Sequence, residues 1–177
     1  IDVSVVLADT ELDLSMRQAD AAIRLAPPSQ PDLIQRHLMR MSYCVYAAHE
    51  YLEEHGVPNR AEDLDDHQLI VYGNDARPPV ENLNWLLEAG CEAGCRRRPG
   101  LQVNSIYGIF RAVQSGFGIG ALPDYMSREV GNLIEILPEL RGPSIDFFFV
   151  YPEELRNFKR IGVLRDFLVS KMRSGKL

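Results

Sequence analysis

Apolar residues recur along this chain with two periods. Ile106, Ile109, Phe110 and Val113 repeat at i, i+3, i+4 and i+7, the spacing of one buried helical face. Asn104 or Ser105 ahead of them can accept a hydrogen bond from the first unpaired N–H groups. Gly116 sits where a left-handed residue stops a helix. Leu101-Gln102-Val103 before this helix and Ile119-Gly120-Ala121-Leu122 after it read as strands, and Pro123 predicts a further short helix over 124–130. Val3, Val5 and Leu7, interleaved with Ser4 and Val6, predict an early strand over 3–7. A short helix is expected over 12–17, a strand over 21–25 and a proline-rich loop over 26–31. Extended segments over 34–48 lead to a helix over 51–55 that Gly56 ends. Strands are predicted at 68–72, 84–87 and 145–151, with loops at 73–79 and 90–100. Phe158, Ile161, Leu164 and Leu168 predict a terminal helix over 158–172 with Asn157 as its cap. Strands alternating with helices imply an α/β sheet.

Composition places these elements in a compact domain. The 177 residues are enough for one or two cores, and 46% hydrophobic with 25% charged residues is ordinary globular usage. No apolar run reaches the ~18 residues of a membrane span, so no membrane partner is expected. Ile1-Asp2-Val3-Ser4 has neither a basic nor an apolar signal region, and the absence of an initiator Met fits a piece of a longer protein. A formal charge of -6 argues against nucleic-acid binding by this chain alone. Arg96-Arg97-Arg98 is the one dense basic run, and as a phosphate grip it is weaker than as a solvated loop.

Several phrases, in order, resemble the effector domain of LysR-type transcriptional regulators. They are Asp20-Ala21-Ala22-Ile23-Arg24, then Tyr46-Ala47-Ala48-His49-Glu50-Tyr51-Leu52 with Gly56-Val57-Pro58, then Glu62-Asp63-Leu64 through Leu69-Ile70-Val71-Tyr72, and finally the AVQSGFGIGALPDYM phrase around Gly116 to Pro123. The resemblance implies two Rossmann-like lobes of the type 2 periplasmic-binding-protein kind, joined by two crossing strands. The first lobe is placed at 1–44 plus 138–177 and the second at 45–137. The family's opening strand and helix, and its winged helix-turn-helix, are absent from the chain, so DNA would be reached only through that absent N-terminal domain.

By resemblance, a small polar or anionic effector is expected in the cleft between lobes. The residues carried over are Asp9 and Thr10 past the first strand, Arg24 at the end of the second, Asn104, Ser105 and Ile106 at the helix start, and Leu122 and Pro123 at the next strand end. A helix N-terminus with free N–H groups suits an anion, and an arginine can grip a carboxylate bidentately. Arg24 reads equally as a structural ion pair, Thr10 as a helix cap, and Asp9 would repel an anion at close range. The expected partners are the effector and further copies of the regulator, as a dimer or tetramer, in the cytoplasm.

Three cysteines remain to be weighed. An odd count without a secretion signal argues against a disulfide scaffold. Cys44, in an apolar run, reads as core. Cys91 and Cys95 flank a glycine-bearing loop, and the arginines after Cys95 are expected to favour its thiolate. This makes a redox-sensing regulator the alternative function, and a solute-binding transport protein of the same fold a third. Cys-x3-Cys lacks two more ligands for a zinc site, so no metal or cofactor is expected. No nucleophile elbow, H-E-x-x-H or Walker loop is present, and the Gly116-x-Gly118-x-Gly120 run follows its helix instead of preceding it, so an enzyme is not expected.

Overall fold

The computed structural model describes residues 1–7, 12–28, 30–73, 80–129 and 131–173. Seven strands and three α-helices follow in the order β1 (Ala22–Arg24), β2 (Leu33–Ala48), α1 (His49–His55), β3 (Leu69–Tyr72), β4 (Leu101–Val103), α2 (Ile106–Gln114), β5 (Ile119–Pro123), β6 (Leu133–Ile136), β7 (Ser144–Pro152) and α3 (Lys159–Arg173). The chain divides into two compact units, one of residues 1–40 with 145–177 and one of 41–144. The 16-residue strand β2 runs through the change at Arg40 and Met41, and β7 begins at the return.

In the first unit β7 pairs antiparallel with β1, matching Ala22 to Val150 and Arg24 to Phe148. Alternation along β7 sends Phe149 and Tyr151 to one face, where they pack with Leu38, Leu155 and Ile161 of α3. Val150 goes to the other face, against Leu14 and Leu33. Leu164 and Leu168 join the α3 seam, whereas Phe158 is half exposed and lies just ahead of the helix.

In the second unit β2 pairs antiparallel with both β5 and β6, while β5, β3 and β4 run parallel to one another. The helix α2 covers the β3–β5 surface with Ile109, Phe110 and Val113, the residues that its periodicity selected. Closeness here depends on absent side chains. A Cβ on Gly120 would lie 2.7 Å from Val113 Cγ2, and one on Gly118 would lie 2.3 Å from the Gln68 carbonyl oxygen.

Four local readings change. Residues 3–7 form no strand: Val5 is 76% and Leu7 94% exposed, because a strand needs a ladder partner and none is present among the described residues. Residues 12–17 make a single turn instead of a helix. The Asp13 carboxylate accepts from Ser15 N and Met16 N, and Arg17 at φ 57 ends the turn. Residues 85–87 form a 3-10 turn where a strand was expected, with Leu83, Leu86 and Leu87 buried at helical spacing. Pro123 ends β5 and starts no helix. It pairs with Tyr43, and Asp124 N donates to Ser42 O at 3.0 Å, so the ladder continues past it; a 3-10 turn follows at Met126–Glu129. The strand β6 had no counterpart in the hydrophobic pattern, since only Ile136 of its four residues is buried.

Candidate functional site

The parallel strands β3, β4 and β5 end side by side at Tyr72, Val103 and Pro123, the edge at which open α/β sheets take ligands. Directly after β4 the chain leaves extended geometry at Ser105, with φ -148 and ψ 129, and enters α2. Ser105 Oγ accepts from Gly108 N at 3.3 Å, and its carbonyl accepts from Ile109 N at 2.9 Å. The helix can start this tightly because residue 108 is glycine: a Cβ there would meet Val103 Cγ1 at 2.6 Å. Asn104 and Ser105 are exposed and Ile106 is half-buried. The first N–H groups of α2 lack intrahelical acceptors, and the helix dipole adds positive potential at the same end, so this end favours an anion.

Leu122 and Pro123 occupy the same edge of this unit, but Leu122 is 0% exposed and shapes the strand end from within. Arg24 belongs to the first unit. It is buried at 6% exposure, and it donates to the Leu12 carbonyl at 3.1 Å and to Gln30 Oε1 at 3.2 Å. Its guanidinium thus ties β1 to the 12–30 segment. Asp9 and Thr10 lie outside the described residues.

Residues that the pattern did not single out complete the edge. Asn84 Nδ2 donates to the Tyr72 carbonyl and Asn84 Oδ1 accepts from Tyr72 N, both at 2.9 Å, occupying the end of β3 as a neighbouring strand would. The Tyr43 phenol, opposite Pro123, is pushed far above its ordinary range by burial, then by the charges that Tyr125 and Tyr72 would carry. It therefore stays a neutral hydroxyl. The signals were present in the sequence only as an unremarkable Asn and three scattered Tyr.

The thiols differ in access: Cys44 is buried, Cys91 intermediate and Cys95 exposed. Cys91 and Cys95 lie in a loop bent by Gly90 at φ 70 and Gly94 at φ 85, where Cys91 Sγ donates to the Leu87 carbonyl at 3.6 Å. Two of the neighbouring arginines have carboxylate and carbonyl partners of their own. Arg96 reaches Glu88 at 3.5 Å, and Arg97 is turned inward to Asp65 at 2.5 Å and to the Ala61 and Ala89 carbonyls. Burial raises the Cys91 thiol pKa more than Arg97 lowers it. Cys44 is buried, and Arg141 donates to its sulfur while burial pushes its pKa up. Among the described residues no group of three His, Cys, Asp or Glu side chains is placed to hold a metal ion, and no helix is long and apolar enough to cross a membrane.

The family model described as LysR substrate binding domain matches residues 1–173. The chain belongs to the LysR substrate-binding domain family. It has that family's type 2 periplasmic-binding-protein-like fold, and its homologues are effector-binding domains of LysR-type regulators. It is 28% identical over 159 residues to an uncharacterized HTH-type transcriptional regulator of Haemophilus influenzae, covering 86% of this chain and 53% of the relative. It is also 28% identical over 176 residues to the HTH-type transcriptional regulator CrgA of Neisseria meningitidis, covering 97% and 58%. The chain thus spans about half the length of these curated relatives. Among solved structures, the CrgA regulatory domain superposes with a TM-score of 0.68 at 26% identity, over 90% of this chain and 78% of that one. The regulatory domain of AphB from Vibrio vulnificus, treated with cumene hydroperoxide, gives 0.66 at 23% identity over the same shares, a likeness of fold.

Proposed function

We propose that this domain senses a small polar or anionic effector seated at the N-terminus of α2. Asn104 and Ser105 present the polar contacts and Ile106 and Pro123 the apolar ones. The observation that carries the reading is the start of α2: capped by one serine, exposed, and set where three parallel strands end. A carboxylate there gains hydrogen bonds from unpaired N–H groups and the favourable end of the dipole without a buried countercharge.

In the longer protein the domain works beside a helix-turn-helix DNA-binding segment, in line with the names of its relatives, in the cytoplasm and as a dimer or larger assembly. An effector shifts such an assembly only by binding one of its arrangements more tightly than another. The reading is tested with Ser105→Trp in the complete regulator. The expected result is unchanged basal DNA binding with loss of response to effector in a reporter strain. A variant that responds normally places the effector elsewhere. Screening carboxylates by thermal shift on the 177-residue chain is expected to yield ligands whose stabilisation disappears in the same variant.

A further inference from the structure

A second concave surface lies in the 41–144 unit, built from elements other than the start of α2. Helix α1 and strand β6 flank a groove of about 430 Å³, within the range that small molecules occupy. Its floor is apolar and packed: Leu52 of α1 and Ile136 at the end of β6 are buried, as is Leu137. Its walls are apolar yet open to water, with Val57 55% and Ile134 38% exposed. Leu137 is a non-glycine residue held in the left-handed region at φ 48.

The charges at this groove have one sign. Three glutamates, Glu53, Glu135 and Glu139, line it, and its only basic lining residue is His49. Arg141 neutralises Glu135 at 2.8 Å. Glu53 faces only the His49 imidazole, at 3.5 Å, and Glu139 has no ion pair among the described residues. An apolar trough whose carboxylates outnumber its cationic partners, with Glu139 unpaired among the described residues and Glu53 facing an imidazole, disfavours anions and rewards a molecule with an apolar body and a positive head.

We propose that the α1–β6 groove binds a small hydrophobic organic cation, such as an alkylammonium, as a site separate from the effector seat at α2. The apolar body lies over Leu52, Ile136 and Leu137, and the head is held between Glu53 and Glu139. A hydrogen-bonded path leads from the groove to α2: His49 N donates to Asn132 O at 2.9 Å, and Asn132 Nδ2 donates to Gln114 O at 3.1 Å, the last residue of that helix.

The test uses n-hexylammonium as probe, with n-hexanol and hexanoate as matched neutral and anionic controls, titrated into the isotope-labelled 177-residue chain. Saturable amide shifts are expected at Leu52, Glu53 and residues 134–137, with hexylammonium bound about tenfold more tightly than hexanol, the size expected of two exposed charge pairs. The double variant Glu53→Gln with Glu139→Gln should reduce hexylammonium to the hexanol level. Val57→Ser, a surface change, should weaken both probes while leaving the circular dichroism spectrum intact. Hexanoate binding as well as hexylammonium, shifts confined to other surfaces, or an unchanged affinity in the double variant would overturn the proposal. Normal effector response in these variants leaves the reading of the α2 seat untouched, so the two ideas fail separately.

Discussion

Ser105 contributes one backbone hydrogen bond and an exposed hydroxyl, and the two roles separate by substitution. Ser105→Ala removes the cap and is expected to lower stability by about 1 kcal/mol, read from urea unfolding, whereas Ser105→Gly loses only a few tenths. His67 governs a different dependence. Its ring accepts or donates at the Tyr51 hydroxyl, 3.2 Å away, and its pKa is lowered, first by burial and then by His55. The folded chain therefore binds the proton less readily than the unfolded chain. Stability held above the ordinary histidine range of about 6.5 is lost as pH falls below it. Urea midpoints should drop between pH 7.5 and 5.5, and His67→Gln should flatten that drop. The thiols rank by access. Cys95 should be alkylated first, Cys91 more slowly and only as pH rises past its raised pKa, and Cys44 only on unfolding. Labelling rates followed by mass spectrometry decide the order, and fast labelling of both Cys91 and Cys95 at neutral pH would favour the redox-sensing alternative.

At the scale of elements, two short connections hold the second unit's edge. Arg97 is an anchor: its buried guanidinium links the 88–100 loop to Asp65 and to the Ala61 carbonyl of the 3-10 turn beneath. Arg97→Ala leaves buried carbonyls unsatisfied and is expected to cost about 3 kcal/mol and to expose Cys91 to alkylation. Arg97→Lys keeps the charge but replaces a fork that donates from three separate nitrogens by one ammonium, so an intermediate loss is expected. Gly118 lets β5 approach β3 at Gln68. Gly118→Ala puts a methyl against backbone and should cost about 1–3 kcal/mol, separating the two strands whose ends frame the α2 edge. Gly116, at φ 77 with open space around it, is constrained only by its own conformation; the alanine variant there should be the milder of the two.

For the whole chain, protection from amide exchange should follow burial and ladder position. The slowest amides are expected in the second half of β2, in β3 and in β5, where Val45, Ala47, Ile70 and Ile119 are almost wholly buried. Residues 1–7 should exchange within the dead time, since no ladder covers them among the described residues. A slow-exchanging segment at 3–7 would mean that a partner strand is present in solution.

Much of the architecture was legible because its cause is local. The periodicity of α2, the serine that caps it, Gly56 and Gly116 as stops, and the apolar runs of β3 and β7 each act within a few residues of themselves. The ordered phrases from Asp20 to Pro123 identified the family for a related reason: they are those same caps, stops and strand ends. What only the tertiary structure decided depends on partners far along the chain. Val3 to Leu7 alternate like a strand, yet none of the described residues pairs with them. Residues 84–87 look extended, but the Asn84 side chain takes the ladder position beside Tyr72 and frees the following residues to turn. Arg97 sits in a basic run that reads as solvated, and it is drawn inward by carbonyls that folding places around it. The groove between α1 and β6 joins segments some 80 residues apart, and which of its three glutamates keeps its charge free is decided only once Arg141 has claimed Glu135. Local free energies select helices, caps and turns from neighbouring residues, whereas pairing, burial and charge compensation are settled by contacts that the chain makes only on closing.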